Sequence, residues 1–316
     1  MRMARVLTAI LLLLTGCGAA SGDSGGVTGT ASGGMTGTAS GGVTDSESVS
    51  AAVTDSATES VTETLTASGT DLEIVCFQAG KADAFLLITP ESAVLIDCGE
   101  KGFGKTILAE LEARNIAKLD LMIITHFDQD HVGGAARIIN NFPVERILQS
   151  NSPKDSEEYE KYIKAVKNAS IEPETVRENL SFALDGVAYT VNPPKKTKYN
   201  SDSSNNSSLI VSVTNGANRL LFTGDAEDER LEEFLTLDWG MFDFLKMPHH
   251  GNWHEPLPLL LETTAPRYAV ITSSDEEPED AETLELLESS GVETFLTRNG
   301  QVIVRSDGEN ISVAYA

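Results

Sequence analysis

The chain has 316 residues, with 48 Asp and Glu against 23 Lys and Arg, for a formal net charge of −25. So acidic a surface repels polyanions at long range, which opposes tight nucleic-acid binding. The apolar run Val6 to Leu14 is too short to span a bilayer, so it excludes a membrane-spanning anchor there.

The N-terminus reads MRMARVLTAILLLLTGCGAA. Two arginines, an apolar core and then small residues are the layout of a secretory signal. Leu14-Thr15-Gly16-Cys17 is similar to the bacterial lipobox, whose cysteine is acylated and becomes the first mature residue. Residues 1–17 are therefore expected to be a lipoprotein signal peptide, with Cys17 tethering an exported protein to the cell envelope. Gly18 after the cysteine, in place of Asp, favours the outer membrane or cell surface. Residues 18–70 contain three consecutive octets from Gly25 to Ser48 and no aromatic residue, Lys or Arg. Such a segment buries too little apolar area to offset its ordering entropy, so a flexible linker is expected.

Residues 71–316 are long enough for one large domain with a core. With six acids in the linker and two arginines in the signal, this part keeps 42 acids and 21 bases, a net of −21. LEIVCF, AFLLI and AVLID predict an opening antiparallel meander. GKTILAELEARN has the apolar spacing of a helix. LMIIT reads as a buried strand, and GGAARIINNF as a helix stopped before Pro143. EEYEKYIKAV is amphipathic. LIVSVT and RLLFT, joined by NGAN, predict a hairpin. DFLKM, EPLPLLLET, YAVIT and EDAETLELLESS then alternate strand and helix, and VETFL, QVIVRS and ISVAY end the chain as strands. About a dozen strands with helices in both halves indicate an α/β layered sandwich: two packed sheets with helices outside. Cys76 and Cys98 end short apolar runs; they either pair or stay as buried free thiols.

All five histidines fall in two clusters, His126 and His131 in THFDQDHVGG, and His249, His250 and His254 after LKMP. Each cluster follows an apolar strand, where a rigid scaffold presents ligands. Imidazole nitrogens and carboxylate oxygens at close spacing are what a divalent metal site needs. Alternation in an extended segment turns His126 and Asp128 the same way. Asp97 and Asp225 end two further strands.

The ordered set LIDCG, THFDQDHVGG, LLFTGD and LKMPHHG resembles the metallo-β-lactamase fold superfamily, with its αββα four-layer sandwich. It resembles in particular the metallo-hydrolase domain of the DNA-uptake channel proteins called ComEC. That branch likewise has aspartate in place of the second histidine of H-x-H-x-D-H. FQAGKADAFLLI, NNSSLIVSV and FLTRNGQVIVRSDG are similar to that branch's opening, strand entry and closing hairpin. The resemblance implies that His126 and Asp128 hold one metal, that Asp130 and His131 hold a second, and that Asp225 bridges them. His250 would complete the second site, with His249 as rival, and Asp97 would steady the central loop from behind. The superfamily's middle histidine is missing, and Asn206 or Ser207 stands in that stretch. The first metal position is thus held by fewer and harder ligands, which favours Mn²⁺ over Zn²⁺, loose binding, or filling only with substrate.

One or two divalent ions, Zn²⁺ or Mn²⁺, would activate water for hydrolysis. With a single ion, Asp130 is a candidate general base, and His249 and His254 are candidates to protonate the leaving group or orient substrate. Trp253 is either an aromatic wall of the site or a packed core residue. The resemblance implies phosphodiester cleavage, as in a nuclease; a small-molecule or lipid-bound phosphodiester, or a polymeric envelope one, fits a tethered, exposed enzyme as well. The alternative is a non-catalytic metal- or ligand-binding lipoprotein on a degenerate hydrolase fold. β-Lactam hydrolysis rests on fold alone.

Overall fold

The computed structural model describes residues 68–316. The expected signal sequence, Cys17 and the linker as far as residue 67 lie outside the described residues. Strands are numbered in chain order. One sheet has the order β15 (Ile311–Tyr315), β14 (Val302–Ser306), β1 (Leu72–Cys76), β2 (Phe85–Ile88), β3 (Ala93–Ile96), β4 (Leu121–Ile124), β5 (Ile147–Gln149), β6 (Glu174–Thr175). It is antiparallel from β15 to β3 and parallel from β3 to β6. The other has the order β13 (Glu293–Leu296), β12 (Tyr268–Ile271), β11 (Phe244–Lys246), β10 (Asn218–Phe222), β9 (Ile210–Asn215), β8 (Val187–Asn192), β7 (Leu180–Leu184). It is parallel from β13 to β10 and antiparallel beyond.

The central strands are apolar on both faces because both faces are covered. On β1, Ile74 and Cys76 face the opposite sheet, while Val75 between them faces the helices. Ile74, Leu87 and Ile123 of one sheet and Tyr189, Val211, Phe222 and Phe244 of the other fill the layer between the sheets. Outside the first sheet lie α1 (Gly104–Ala113), α2 (Gln129–Val132), α3 (Ala135–Asn141) and α4 (Glu157–Asn168), burying Ile107, Leu111, Ile138 and Tyr162. Outside the second lie α5 (Asp228–Leu235), α6 (Leu257–Thr264) and α7 (Ala281–Ser289), burying Leu231, Phe234, Leu260 and Leu287. These four layers enclose three apolar cores, the αββα sandwich expected.

Two local features depart from expectation, and a third decides between two alternatives. The β7–β8 hairpin is additional; its turn is Asp185-Gly186, with φ of 45° and 78°, the two-residue turn that Asp-Gly favours. The helix expected from Gly133 starts earlier, as the single turn α2, and resumes as α3. Cys76 faces the core between the sheets and Cys98 the helix side, so the sheet itself separates them. Both are free thiols, which rules out the disulfide alternative. Burial pushes both thiol pKa values up.

Candidate metal centre

Loops leave the C-terminal ends of β3, β4, β10, β11 and β12 at one edge of the sandwich. They carry Asp97, His126 to His131, Asp225, His249-His250 and Thr272. Asp83 comes from the loop entering β2. Ligand-type atoms of Asp130, His131, Asp225 and His250 lie within 4.8 Å of one another. His250 Nε2 is 3.0 Å from Asp225 Oδ2 and 3.1 Å from Asp130 Oδ2. His131 Nε2 is 3.1 Å from the same Asp225 oxygen and 3.9 Å from Asp130 Oδ2. It is nonetheless buried without a hydrogen-bond partner. His250 Nε2, by contrast, is within hydrogen-bond reach of Asp130 Oδ2.

The hydrogen bonds behind the imidazoles settle which nitrogen faces inward. His131 Nδ1–H donates to Asp97 Oδ2 at 2.8 Å. Asp97 also accepts the Thr125 amide at 2.8 Å and its hydroxyl at 2.7 Å. With that hydroxyl proton committed, the Thr125 oxygen accepts from His126 Nδ1–H at 3.2 Å. Likewise Thr272 donates its hydroxyl to Asp83 Oδ1 at 2.7 Å and therefore accepts from His250 Nδ1–H at 2.8 Å. All three imidazoles thus direct Nε2 into the site, and those of His126 and His131 are buried and unpartnered. Carboxylate and hydroxyl groups holding the far nitrogen are how proteins orient metal-binding histidines. An orphaned buried nitrogen is otherwise costly, so the donor set fits a divalent ion.

Lys246 sits beneath this cluster, fully buried within β11. Its Nζ is 2.5 Å from Asp83 Oδ2, 3.3 Å from Asp225 Oδ1 and 2.9 Å from the Gly224 carbonyl oxygen. Burial would strip its proton, but Asp83 and Asp225 outweigh it and raise its pKa. The same contest decides the ligands. Burial pulls His131 down, yet Asp225, Asp97 and Asp130 hold it well above the ordinary imidazole range. His250 is raised by Asp225 and Asp130 against burial. For Asp130 and Asp225 burial pushes up, and the facing imidazoles win and hold both low.

The glycine pair of THFDQDHVGG exists for contact. The Cys98 amide donates to the His131 carbonyl at 2.7 Å, and the Gly134 amide to the Gly99 carbonyl at 3.2 Å. A Cβ on Gly134 would run into the Cys98 carbonyl oxygen. Only glycine lets α2 lie flush against the loop bearing Asp97. His249 and His250 are both left-handed, with φ of 45° and 56°. Such strain costs roughly 1–3 kcal/mol per residue and persists where surrounding contacts enforce it.

A cleft of about 320 Å³ opens on the cluster, lined by Lys81, Asp128, Asp130, Asn205, His249 and His250 among others. A larger cavity of about 580 Å³ beside Arg114 and Arg305 contains none of these groups. Chemistry, not size, places the site in the smaller cleft.

The structure does not join every residue singled out above to the cluster. His126 Nε2 is 3.9 Å from Asp128 Oδ1. Asp128 is taken up by the Lys154 ammonium at 2.5 Å and by the Ser204 hydroxyl. Asn206 and Ser207 point elsewhere, because their loop needs them for its own hydrogen bonds. Asn206 accepts the Arg230 amide and donates to the Asp202 carbonyl, and Ser207 donates to the Ser204 carbonyl. The neighbours of that pair face the site instead: Asn205 lines the cleft, and Ser208 Oγ is 3.3 Å from His126 Nδ1. His249 and His254 stack, centroids 5.3 Å apart, and burial lowers His249 to about 4. Trp253 packs partly buried on the core under α7. Asp83, Lys246 and Glu227 were not anticipated. A lysine inside the apolar run DFLKM was the signal for Lys246.

Residues 78–273 match the metallo-beta-lactamase superfamily model. The chain is 28% identical over 174 residues to ComE operon protein 3 of Bacillus subtilis, covering 54% of this chain and 22% of that protein. It is 26% identical over 206 residues to Recombination protein 2 of Haemophilus influenzae, covering 64% and 24%. The chain therefore spans about a quarter of the length of these curated relatives. Among solved structures, the metallo-beta-lactamase fold protein YhfI from Bacillus subtilis superposes with a TM-score of 0.50 at 10% identity. That match covers 77% of this chain and 100% of YhfI, and at such identity the likeness concerns the fold.

Proposed function

The chain belongs to the metallo-β-lactamase superfamily, with ComEC-like relatives, and on that premise we propose that it is a metal-dependent hydrolase of phosphodiesters. The observation that carries this reading is the set of imidazoles locked with Nε2 inward around the Asp130 and Asp225 carboxylates. Asp130, His131, Asp225 and His250 would hold a divalent ion, Zn²⁺ or Mn²⁺, which would supply Lewis acidity toward water and the scissile oxygen. The protein supplies the rest. Asp97, with Thr125, fixes the His131 ring; Thr272, with Asp83, fixes that of His250. Lys246 neutralises the carboxylates beneath. Asp130 reaches the cleft with its side chain 34% exposed. His249 lines the same cleft and stacks on His254. Lys81 and Lys154 provide positive charge at the rim for an anionic substrate.

The domain's net charge of −21, from 42 acids and 21 bases, favours a small or lipid-borne phosphodiester, or an envelope polymer, over long nucleic acid. A tether through acylated Cys17 would hold the domain at such a substrate. The test is turnover of a chromogenic phosphodiester with added Mn²⁺ or Zn²⁺, lost in Asp225→Ala. No turnover above the metal-only background, or an unaffected variant, overturns the enzyme reading. That result would favour the metal-binding lipoprotein alternative, to which the Lys154–Asp128 ion pair closing the first metal position lends support. Labelling of wild type but not Cys17→Ser by a radioactive fatty acid tests the anchor.

A further inference from the structure

Next to the cluster lies a second convergence of ligands that the hydrolytic chemistry leaves unused. Glu227 precedes α5, and His249 and His254 flank the loop leading to α6. His249 Nδ1 is 3.1 Å from His254 Nε2 and 3.3 Å from Glu227 Oε1, and one ligand atom from each residue falls within 4.8 Å of the others. Two ligands across a tetrahedral zinc ion with bonds near 2.05 Å lie about 3.3 Å apart, so His249 Nδ1 already stands at ligand spacing from each of the other two atoms. The side chains are well enclosed, at 20%, 13% and 10% exposed for His249, Glu227 and His254.

A single proton on His249 Nδ1 serves either His254 Nε2 or Glu227 Oε1, not both. Among the described residues Glu227 has no Lys or Arg partner in an ion pair, while Asp225 and Asp228 lie on either side of it in the chain. Two of the three ligands are held through their other polar atom, as metal ligands commonly are. His254 Nδ1 faces Asp228 Oδ1 at 3.4 Å, and Glu227 Oε2 accepts from Asn206 Nδ2 at 3.4 Å, while Oε1 accepts from Asn205 Nδ2 at 3.0 Å. His249 Nε2 lies 3.3 Å from the side-chain amide nitrogens of both Asn205 and Asn252. The left-handed backbone of His249, φ 45° and ψ 49°, aims the ring away from that of His250, whose centroid is 6.2 Å distant.

We propose that Glu227, His249 and His254 form a second divalent-metal site, suited to Zn²⁺, flanking the Asp130–His131–Asp225–His250 centre. Two imidazoles and one carboxylate are a common three-ligand zinc set with a fourth position open. The sequence then serves one ion with each of two successive histidines, and the flanking ion offsets the carboxylate excess at the cleft wall.

The experiment is zinc stoichiometry after gel filtration, by elemental analysis, with histidine-selective ¹⁵N spectra of the full chain; five histidines make these tractable. Wild type is expected to retain two equivalents, and His249 Nδ1 and His254 Nε2 resonances are expected to move on binding. Glu227→Gln, which keeps size and shape, and His254→Gln are each expected to drop to one equivalent while His131 and His250 still respond to zinc. Asp225→Asn is expected to lose the other equivalent instead. Unmoved His249 and His254 resonances, or wild-type stoichiometry in both Glu227→Gln and His254→Gln, overturn the proposal and leave the pair as an N–H···N hydrogen bond. Neither result touches the hydrolytic reading, which is decided by turnover.

Discussion

Lys246→Met removes one ammonium and little else. Lysine and methionine are unbranched and of similar length, so packing within β11 is largely preserved. What is lost is the charge facing Asp83 at 2.5 Å and Asp225 at 3.3 Å, two carboxylates that are 1% and 2% exposed. Breaking a buried ion pair from one side costs roughly 3–5 kcal/mol, because the remaining charge is left uncompensated. For a domain of this size that corresponds to a fall in Tm of about 6–20 °C. The assay is thermal and urea unfolding of chelator-treated protein, wild type against Lys246→Met. Added Zn²⁺ is expected to recover part of the loss, since an ion on the Oδ2 side of Asp225 restores positive charge to one of the two carboxylates. A loss below about 1 kcal/mol would refute the assignment of Lys246 as counter-charge to the site, since it would put the buried pair in the range of a surface one.

Asp97→Asn is expected to keep the fold but weaken metal binding by roughly 10–100-fold, because the amide no longer fixes His131 with Nε2 inward; competition with a fluorescent chelator measures it. Gly134→Ala is expected to lower both metal affinity and Tm, since its Cβ meets the Cys98 carbonyl; an unaltered variant would show that α2 does not depend on that contact. The pH response has a definite sign. His131 and His250 stand above 6.5 in the metal-free protein, as the carboxylates facing them outweigh burial. That contribution to stability is complete below 6.5 and is lost as pH rises through the raised values. Metal must displace these protons, so affinity is expected to rise by up to about tenfold per proton per pH unit in that window. Affinity independent of pH there would contradict it. Ile74→Ala, deleting an inter-sheet side chain with no exposure, is expected to cost about 2–5 kcal/mol in urea unfolding without changing metal stoichiometry.

Much of the fold was legible because apolar runs such as AVLI and LMII are short, β-branched and punctuated by Gly, Asp or Pro. The hairpin at NGAN, with Gly216 at φ 56°, carries its geometry in four residues. The Asp185-Gly186 hairpin carried the same kind of signal, between the alternating strands LSFAL and VAYTVN. Ligand-bearing loops were legible too, since all five histidines follow strand ends.

Within this chain, sequence by itself determined the layered class and the strand-end placement of Asp97, His131, Asp225 and His250. These follow from local period, turn chemistry and residue type. Tertiary structure alone decided that Asp128 is claimed by Lys154, that Asn206 serves its own loop, and that Lys246 is a buried counter-charge. It also decided that Glu227 meets His249 and His254. Each of those outcomes is a contest between desolvation and the charges that distant segments bring within about 4 Å, where Coulomb energies are large. No spacing along the chain encodes which segments those are.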